Sequence, residues 1–166
     1  NFLQLEKKDI EADQAIKVLL LEAELSCEIV VKSLPFPIKI AGKVDRIEER
    51  NGAIRIIDYK TGKVDGNSLK IQDFGDLASD IKNEKIIQLL CYALMFENHE
   101  LKQNREVSAG IVSFKNMKSG FLPFGLGKGK DAELVISNDI LQDFKSELET
   151  LILEIFNPEI PFKEKV

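Results

Sequence analysis

A chain of 166 residues, 44% hydrophobic and 31% charged, has the size and balance of one soluble globular domain with a core of its own. A net charge of −5 excludes nucleic-acid binding through bulk positive charge, so any contact with a phosphate backbone has to be local. The longest apolar runs, such as Ile86 to Phe96, are too short to cross a bilayer, and no basic segment with a cleavage site opens the chain, which points to a cytoplasmic protein with no membrane partner.

Cys27 and Cys91 are the only cysteines, too few for a zinc or iron–sulfur ligand set, and they read as small hydrophobes. The chain begins at Asn1 rather than at a methionine, so residues 1–166 are expected to form a single domain cut from a longer protein.

Asn1 to Gln14 is charged and weakly periodic and reads as a short helix. After AIKVLLLE a clean alternation sets in, with Ala23, Leu25, Cys27, Ile29 and Val31 facing one way and Glu22, Glu24, Ser26, Glu28 and Lys32 the other. That is a strand with one wet face. Pro35 and Pro37 interrupt it, IKIAGKVDRIEE resumes a strand, and Asn51-Gly52 is a hairpin turn from which AIRIIDYK returns. Thr61 to Glu84 is rich in Gly, Asp, Asn, Ser and Lys and reads as a long loop with one helical turn. KIIQLLCYALMFEN is apolar nearly all round, hence a buried helix. EVSAGIVSF and Gly120 to Phe124 read as further strands, GLGKGK as a flexible loop, and Asp139 opens a last amphipathic helix that stops at Asn157-Pro158.

A two-residue loop fixes the register of the hairpin. With Asn51 and Gly52 in the loop, Arg50 faces Ala53, Glu48 faces Arg55, Ile47 faces Ile56 and Asp45 faces Asp58. The charge pair and the aliphatic pair are favourable, whereas two opposed aspartates repel, and Lys60 shares the face of Asp58. Two readings of this cluster stand on pattern alone. It is a solvated strand end with an ordinary surface ion pair, or it is a site for a hard divalent cation, which asks for one or two carboxylates plus water and phosphate oxygens. In the second case a nearby lysine can position the attacking water and stabilise charge on the phosphate.

GKVDRI, IIDYKTG and QLLCY together resemble the PD-(D/E)XK nuclease superfamily, in particular the nuclease domain of RecB and AddB type helicase-nucleases. The resemblance is good from Glu22 to Phe96 and looser elsewhere. It implies a restriction-endonuclease-like α/β core, a mixed central sheet flanked by helices. It implies Asp45 and Asp58 as ligands of Mg²⁺ or Mn²⁺, the backbone carbonyl of Tyr59 as a further ligand, and Lys60 as the catalytic lysine. Gln88 and Tyr92 match the Q-x-x-x-Y motif of the family, four residues apart on one helical face; without the upstream motif they would read as satisfied polar groups of a buried helix. Glu22 matches an acidic position of the first strand that a wet strand face explains equally well.

Two departures stand out. Relatives carry a metal-binding histidine N-terminal to the motifs, whereas His99 follows the Q-x-x-x-Y helix and reads as an exposed residue at its end. Some relatives also hold an iron–sulfur centre with cysteines beyond a segment like NPEIPFKEKV, and this chain stops at Val166. The expected function is metal-dependent hydrolysis of DNA, as the exonuclease part of a helicase-nuclease in DNA repair or recombination, with a helicase domain or subunit as partner. Lys115, Lys118, Lys128 and Lys130 could guide the strand. The alternative is a catalytically silent DNA-binding or scaffolding module that kept the fold.

Overall fold

The exposed Asn51-Gly52 turn joins two inner strands of the sheet. Both residues adopt left-handed φ, +51° and +85°, as a type I′ turn requires. Strand β2 (Ile38–Arg50) therefore returns directly as β3 (Ala53–Lys60), with Arg50 against Ala53, Glu48 against Arg55 and Ile47 against Ile56, the register read from the sequence. Strand β1 (Ile16–Ile29) pairs antiparallel along β2 from Ile16↔Arg50 to Ile29↔Ile38. The computed structural model describes residues 2–11, 15–75, 77 and 80–161. The helix expected over Asn1 to Gln14 is α1 (Phe2–Glu11); its flanks and the end of NPEIPFKEKV, residues 162–166, lie outside the described residues.

From β3 the chain crosses to β5 (Val107–Ser113), which runs parallel to it with Ile54↔Val107 and Lys60↔Ser113. A parallel neighbour needs a crossover, and α2 (Glu84–Phe96) supplies it. The hairpin partner β6 (Phe121–Pro123) closes the far edge. The result is a mixed five-stranded sheet in the order β1, β2, β3, β5, β6, in agreement with the expected restriction-endonuclease-like α/β core.

Helix α2 lies against β1, β2, β3 and β5 and is backed by α3 (Asn138–Ile155). Its Ile86, Leu89, Leu90 and Phe96 are fully buried together with Ile47, Ile54 and Ile56 of the hairpin and Ile111 of β5. The helix is apolar nearly all round because it is sandwiched between sheet and helix. Helix α3 starts one residue earlier than expected, because Ser137 caps it by accepting from the Ile140 amide at 3.4 Å.

The described residues of the long loop and the glycine loop hold more regular structure than their composition suggests. Two short helical turns, Gly66–Leu69 and Ile81–Asn83, flank a two-residue strand β4 (Lys70–Ile71), which pairs with β7 (Gly125–Leu126) from within GLGKGK. Lys70 Nζ also donates to the Gly129 carbonyl at 2.6 Å. Strands of two residues leave no periodicity to detect.

Candidate active site

The site forms where the β2 and β3 ladder ends. Its last pair is Arg46↔Ile57, and regular continuation would have the Tyr59 N–H donate to the backbone of Val44. Instead it donates to the carboxylate Oδ2 of Asp45 at 2.8 Å. Val44 and Ile47 are both fully buried in one core, although strict alternation would put residues three apart on opposite faces. The alternation therefore breaks between them, at Asp45. Across the ladder, between Leu21↔Arg46 and Ala23↔Val44, Glu22 has a left-handed φ of +51°. This paired kink turns the Asp45 carboxylate toward β3. Glu22 itself is ion-paired with Lys43, whose pKa is raised first by that hydrogen bond.

Asp58 is 4% exposed, and Lys60, two residues on and on the same face, places Nζ 2.9 Å from its Oδ2. Burial pushes the Asp58 carboxyl above its ordinary range; the Lys60 charge opposes that and the neighbouring Asp45 adds to it. Lys60 Nζ also donates to Gln88 Oε1 at 2.9 Å, and Gln88 Nε2 donates to the Tyr92 hydroxyl at 2.8 Å. Because an ammonium can only donate, the amide oxygen has to face Lys60. The amide nitrogen then faces the phenol as donor, and the phenolic proton stays available to a third group. Burial, then the nearby Asp58, raise the Tyr92 pKa. Gln88 and Tyr92 stand one turn apart on α2, and Gly42 of β2 lets the helix come close: a Cβ there would lie 3.3 Å from Met95 Cε and 3.4 Å from Tyr92 Cε1.

Tyr59 belongs to both sides of the sheet. Ile54 and Lys60 use their main chain on β5, through Ile54 N–H to Glu106 O and Phe114 N–H to Lys60 O. The alternate residue Tyr59 therefore turns its N–H and C=O toward β2, the side on which Asp45 lies. Its ring points to the other face, where it stacks on Phe114 at 5.5 Å and 12° and its hydroxyl accepts from Arg46 Nη1 at 3.4 Å. Arg46 pairs with the fully buried Glu48, which Arg50 Nε holds from the other side at 3.0 Å.

The residues that the resemblance singled out, Asp45, Asp58, Tyr59, Lys60, Gln88 and Tyr92, thus meet at one place. Sequence reading passed over Gly42, although a glycine inside a strand signals close approach. It gave Lys85 no role, yet this residue at the start of α2 pairs with Glu84 at 2.9 Å and helps hold the Asp58 pKa down. His99 is half-buried rather than exposed; it stacks on Phe96 at 5.0 Å, and its Nδ1 accepts from the Leu101 amide at 3.2 Å. Cys27 and Cys91 are free thiols packed against the core, with Cys91 pushed up to about 11 by burial. Lys115, Lys118, Lys128 and Lys130 are exposed.

Among the described residues no three His, Cys, Asp or Glu side chains converge as a metal cage, and no helix is long and apolar enough to cross a membrane. The donors that do meet fit a hard cation all the same. The enclosed Oδ2 of Asp58 has Lys60 Nζ as an ion-pair neighbour but accepts no aligned hydrogen bond, Asp45 lies next to it, and Mg²⁺ takes one or two carboxylates and keeps the rest of its shell in water and phosphate.

No curated protein matches the chain. Among solved structures, SSO0001 is similar at 17% identity and a TM-score of 0.37, covering 95% of this chain. The chain spans 58% of that structure's own length. The family model for the PD-(D/E)XK nuclease superfamily matches residues 2–166. With that match over the described sheet and helices, the chain belongs to the PD-(D/E)XK nuclease superfamily.

Proposed function

We propose that this domain is a metal-dependent deoxyribonuclease whose working groups are Asp45, Asp58, Lys60, Gln88 and Tyr92. One observation carries the proposal: a continuous polar chain from Asp58 through Lys60 and Gln88 to Tyr92, beside a second carboxylate that the end of a β ladder turns inward. Asp45 and Asp58, with the Tyr59 carbonyl, would hold Mg²⁺ or Mn²⁺. Such an ion, when bound, lowers the pKa of a water and offsets charge on the scissile phosphate.

The residues themselves do the remaining work. Lys60 keeps its ammonium at the edge of the carboxylates, where it attracts a phosphate oxygen and stabilises charge that grows in the transition state. Gln88 fixes that ammonium by accepting one of its protons, which leaves two to donate. Tyr92 anchors Gln88 and can present its own proton toward a phosphate or a water. Enclosure of Asp58 by α2 keeps bulk water off the carboxylate and strengthens each of these interactions.

The motifs GKVDRI, IIDYKTG and QLLCY support a narrower role as the exonuclease module of a RecB or AddB like helicase-nuclease in the cytoplasm, acting in DNA repair or recombination beside a helicase domain or subunit. The competing reading is a silent DNA-binding or scaffolding module. The ion pair of Asp58 with Lys60 favours it in one respect, since it already neutralises one acid. Cleavage of labelled DNA in Mg²⁺ and in Mn²⁺, by the parent and by Lys60→Ala, tests the choice. Metal-dependent cleavage lost in Lys60→Ala supports the nuclease; DNA binding without cleavage by the parent under either metal supports the silent module.

A further inference from the structure

Helix α2 carries a polar stripe on an otherwise apolar surface. Lys85, Gln88 and Tyr92 recur at steps of three and four residues, the spacing of one helical face, and Glu84 stands four residues before Gln88 on the same side. The inner part of the stripe belongs to the candidate site, where Gln88 accepts from Lys60 Nζ at 2.9 Å and donates to the Tyr92 hydroxyl at 2.8 Å. Its outer end stays partly in water: Lys85 Nζ donates to Glu84 Oε1 at 2.9 Å, and the two side chains are 34% and 66% exposed. This outer pair lies within electrostatic reach of the centre. Burial raises the Asp58 carboxyl and both Lys60 and Lys85 oppose that rise, while Glu84 is lowered first by its bond to Lys85 and then by the charges of Lys85 and Lys60.

Helix stability does not call for a lysine at this position. The N-terminal end of a helix carries partial positive charge, so an acid in the first turn is favoured and a cation is not. Neighbours one residue apart lack the facing geometry of residues four apart, and an exposed ion pair contributes little. We propose that Lys85 is a second phosphate-binding residue of this site, taking up the phosphate next to the one held at Asp45, Asp58 and Lys60, and that Glu84 is its resting counter-ion, displaced when the strand arrives. The proposal rests on the nuclease reading and extends it from one phosphate to two. Lys85 stands about 4.5 Å along the helix axis from Gln88, the residue that holds Lys60, a step comparable to that between neighbouring phosphates of one strand. Lys60 is held between Asp58 and Gln88, whereas Lys85 leaves an exposed acid that water readily solvates. Exchanging that carboxylate for a phosphate releases ions condensed on the strand, a local attraction that a chain of net charge −5 lacks as a whole.

Anisotropy of a labelled single-stranded oligonucleotide, measured over a series of salt concentrations without divalent metal so that nothing is cut, gives affinity and salt slope. KM and kcat are measured on the same oligonucleotide in Mn²⁺. Lys85→Ala should bind about fivefold more weakly, with a salt slope shallower by about 0.7, the loss of one contact to a single strand. In Mn²⁺ its KM should rise by more than its kcat falls. Lys85→Arg, which keeps the charge, should restore the slope. Glu84→Gln should bind about twofold more tightly than the parent, a change of opposite sign that a merely structural ion pair would not give. A Lys85→Ala protein that matches the parent in affinity, slope and KM, or a Glu84→Gln protein that binds no more tightly, overturns the proposal, and cleavage by the parent keeps the nuclease reading standing. If the parent neither binds nor cuts the oligonucleotide in Mg²⁺ or Mn²⁺, the nuclease reading itself fails and takes the second phosphate site with it.

Discussion

Lys60 Nζ donates to Gln88 Oε1 at 2.9 Å and so ties the end of β3 to α2 across 28 residues of sequence. The ammonium is shared between this amide and the Asp58 carboxylate, and the proposed mechanism has it meet a phosphate from there. Lys60→Ala should abolish cleavage while leaving the Mn²⁺-induced rise in melting temperature largely in place, because its proposed role lies in the transition state rather than in holding the ion. Gln88→Ala, which frees the ammonium without removing it, should give an intermediate loss. Cleavage by Lys60→Ala at the parent's rate would remove the lysine from the mechanism.

The raised pKa of Asp58 makes a prediction about stability without metal. A carboxyl whose folded pKa lies above its unfolded value, here 3.8, holds its proton longer in the folded state. Its contribution is fully present below that value and is lost as pH rises through the folded pKa. Metal-free protein should therefore lose stability over that window, and Asp58→Asn should flatten the loss and melt higher than the parent at pH 7. The same variant should lose most of the stabilisation that Mg²⁺ or Mn²⁺ confers on the folded parent. Thermal melts across pH, with and without metal, read both effects.

Tyr92→Phe removes the acceptor of the Gln88 amide bond at 2.8 Å. Losing one partly buried hydrogen bond costs about 1 kcal/mol, or roughly 3 °C in melting temperature for a domain of this size. If the tyrosine serves the site as well as the helix, cleavage per folded molecule should drop by more than that small destabilisation explains. Unchanged cleavage per folded molecule would confine Tyr92 to structure.

Glu48 is fully buried between Arg46 and Arg50. Glu48→Ala would remove the buried carboxylate that Arg46 and Arg50 share; breaking a buried ion pair from one side costs about 3 to 5 kcal/mol and should lower the melting temperature by roughly 10 °C. Because Arg46 also reaches the Tyr59 hydroxyl, cleavage should weaken in addition. A calorimetric melt within 2 °C or so of the parent would show that the triad contributes little.

The parts of the fold that could be read from sequence are those where one local rule decides. Asn51-Gly52 admits one turn type, and the register of β2 and β3 followed from it. The run from Ile86 to Phe96 admits only a buried helix. What escaped notice depends on tertiary geometry. The kink that turns Asp45 inward needs both strands at once, so regular pairing predicted an aspartate facing an aspartate rather than a carboxylate accepting from the Tyr59 amide. Nothing in the spacing of Arg46, Glu48 and Arg50 announces that the glutamate is buried, and the exposure of Phe114 follows from β5 ending at Ser113, a boundary that propensity places only to within a residue or two.

The bond from the Tyr59 amide to the Asp45 carboxylate gives the domain a built-in reporter. That amide proton lies past the last ladder pair, Arg46↔Ile57, and by donating to a side-chain carboxylate it senses that carboxylate's charge. When a cation draws electron density from the carboxylate, the hydrogen bond weakens, and the amide resonance should move upfield and exchange faster with solvent. Amides deeper in β3, which face carbonyls, should hold still. A single backbone peak in a nitrogen-labelled sample would then follow occupancy of the centre directly, before any substrate is added and in variants that no longer cut.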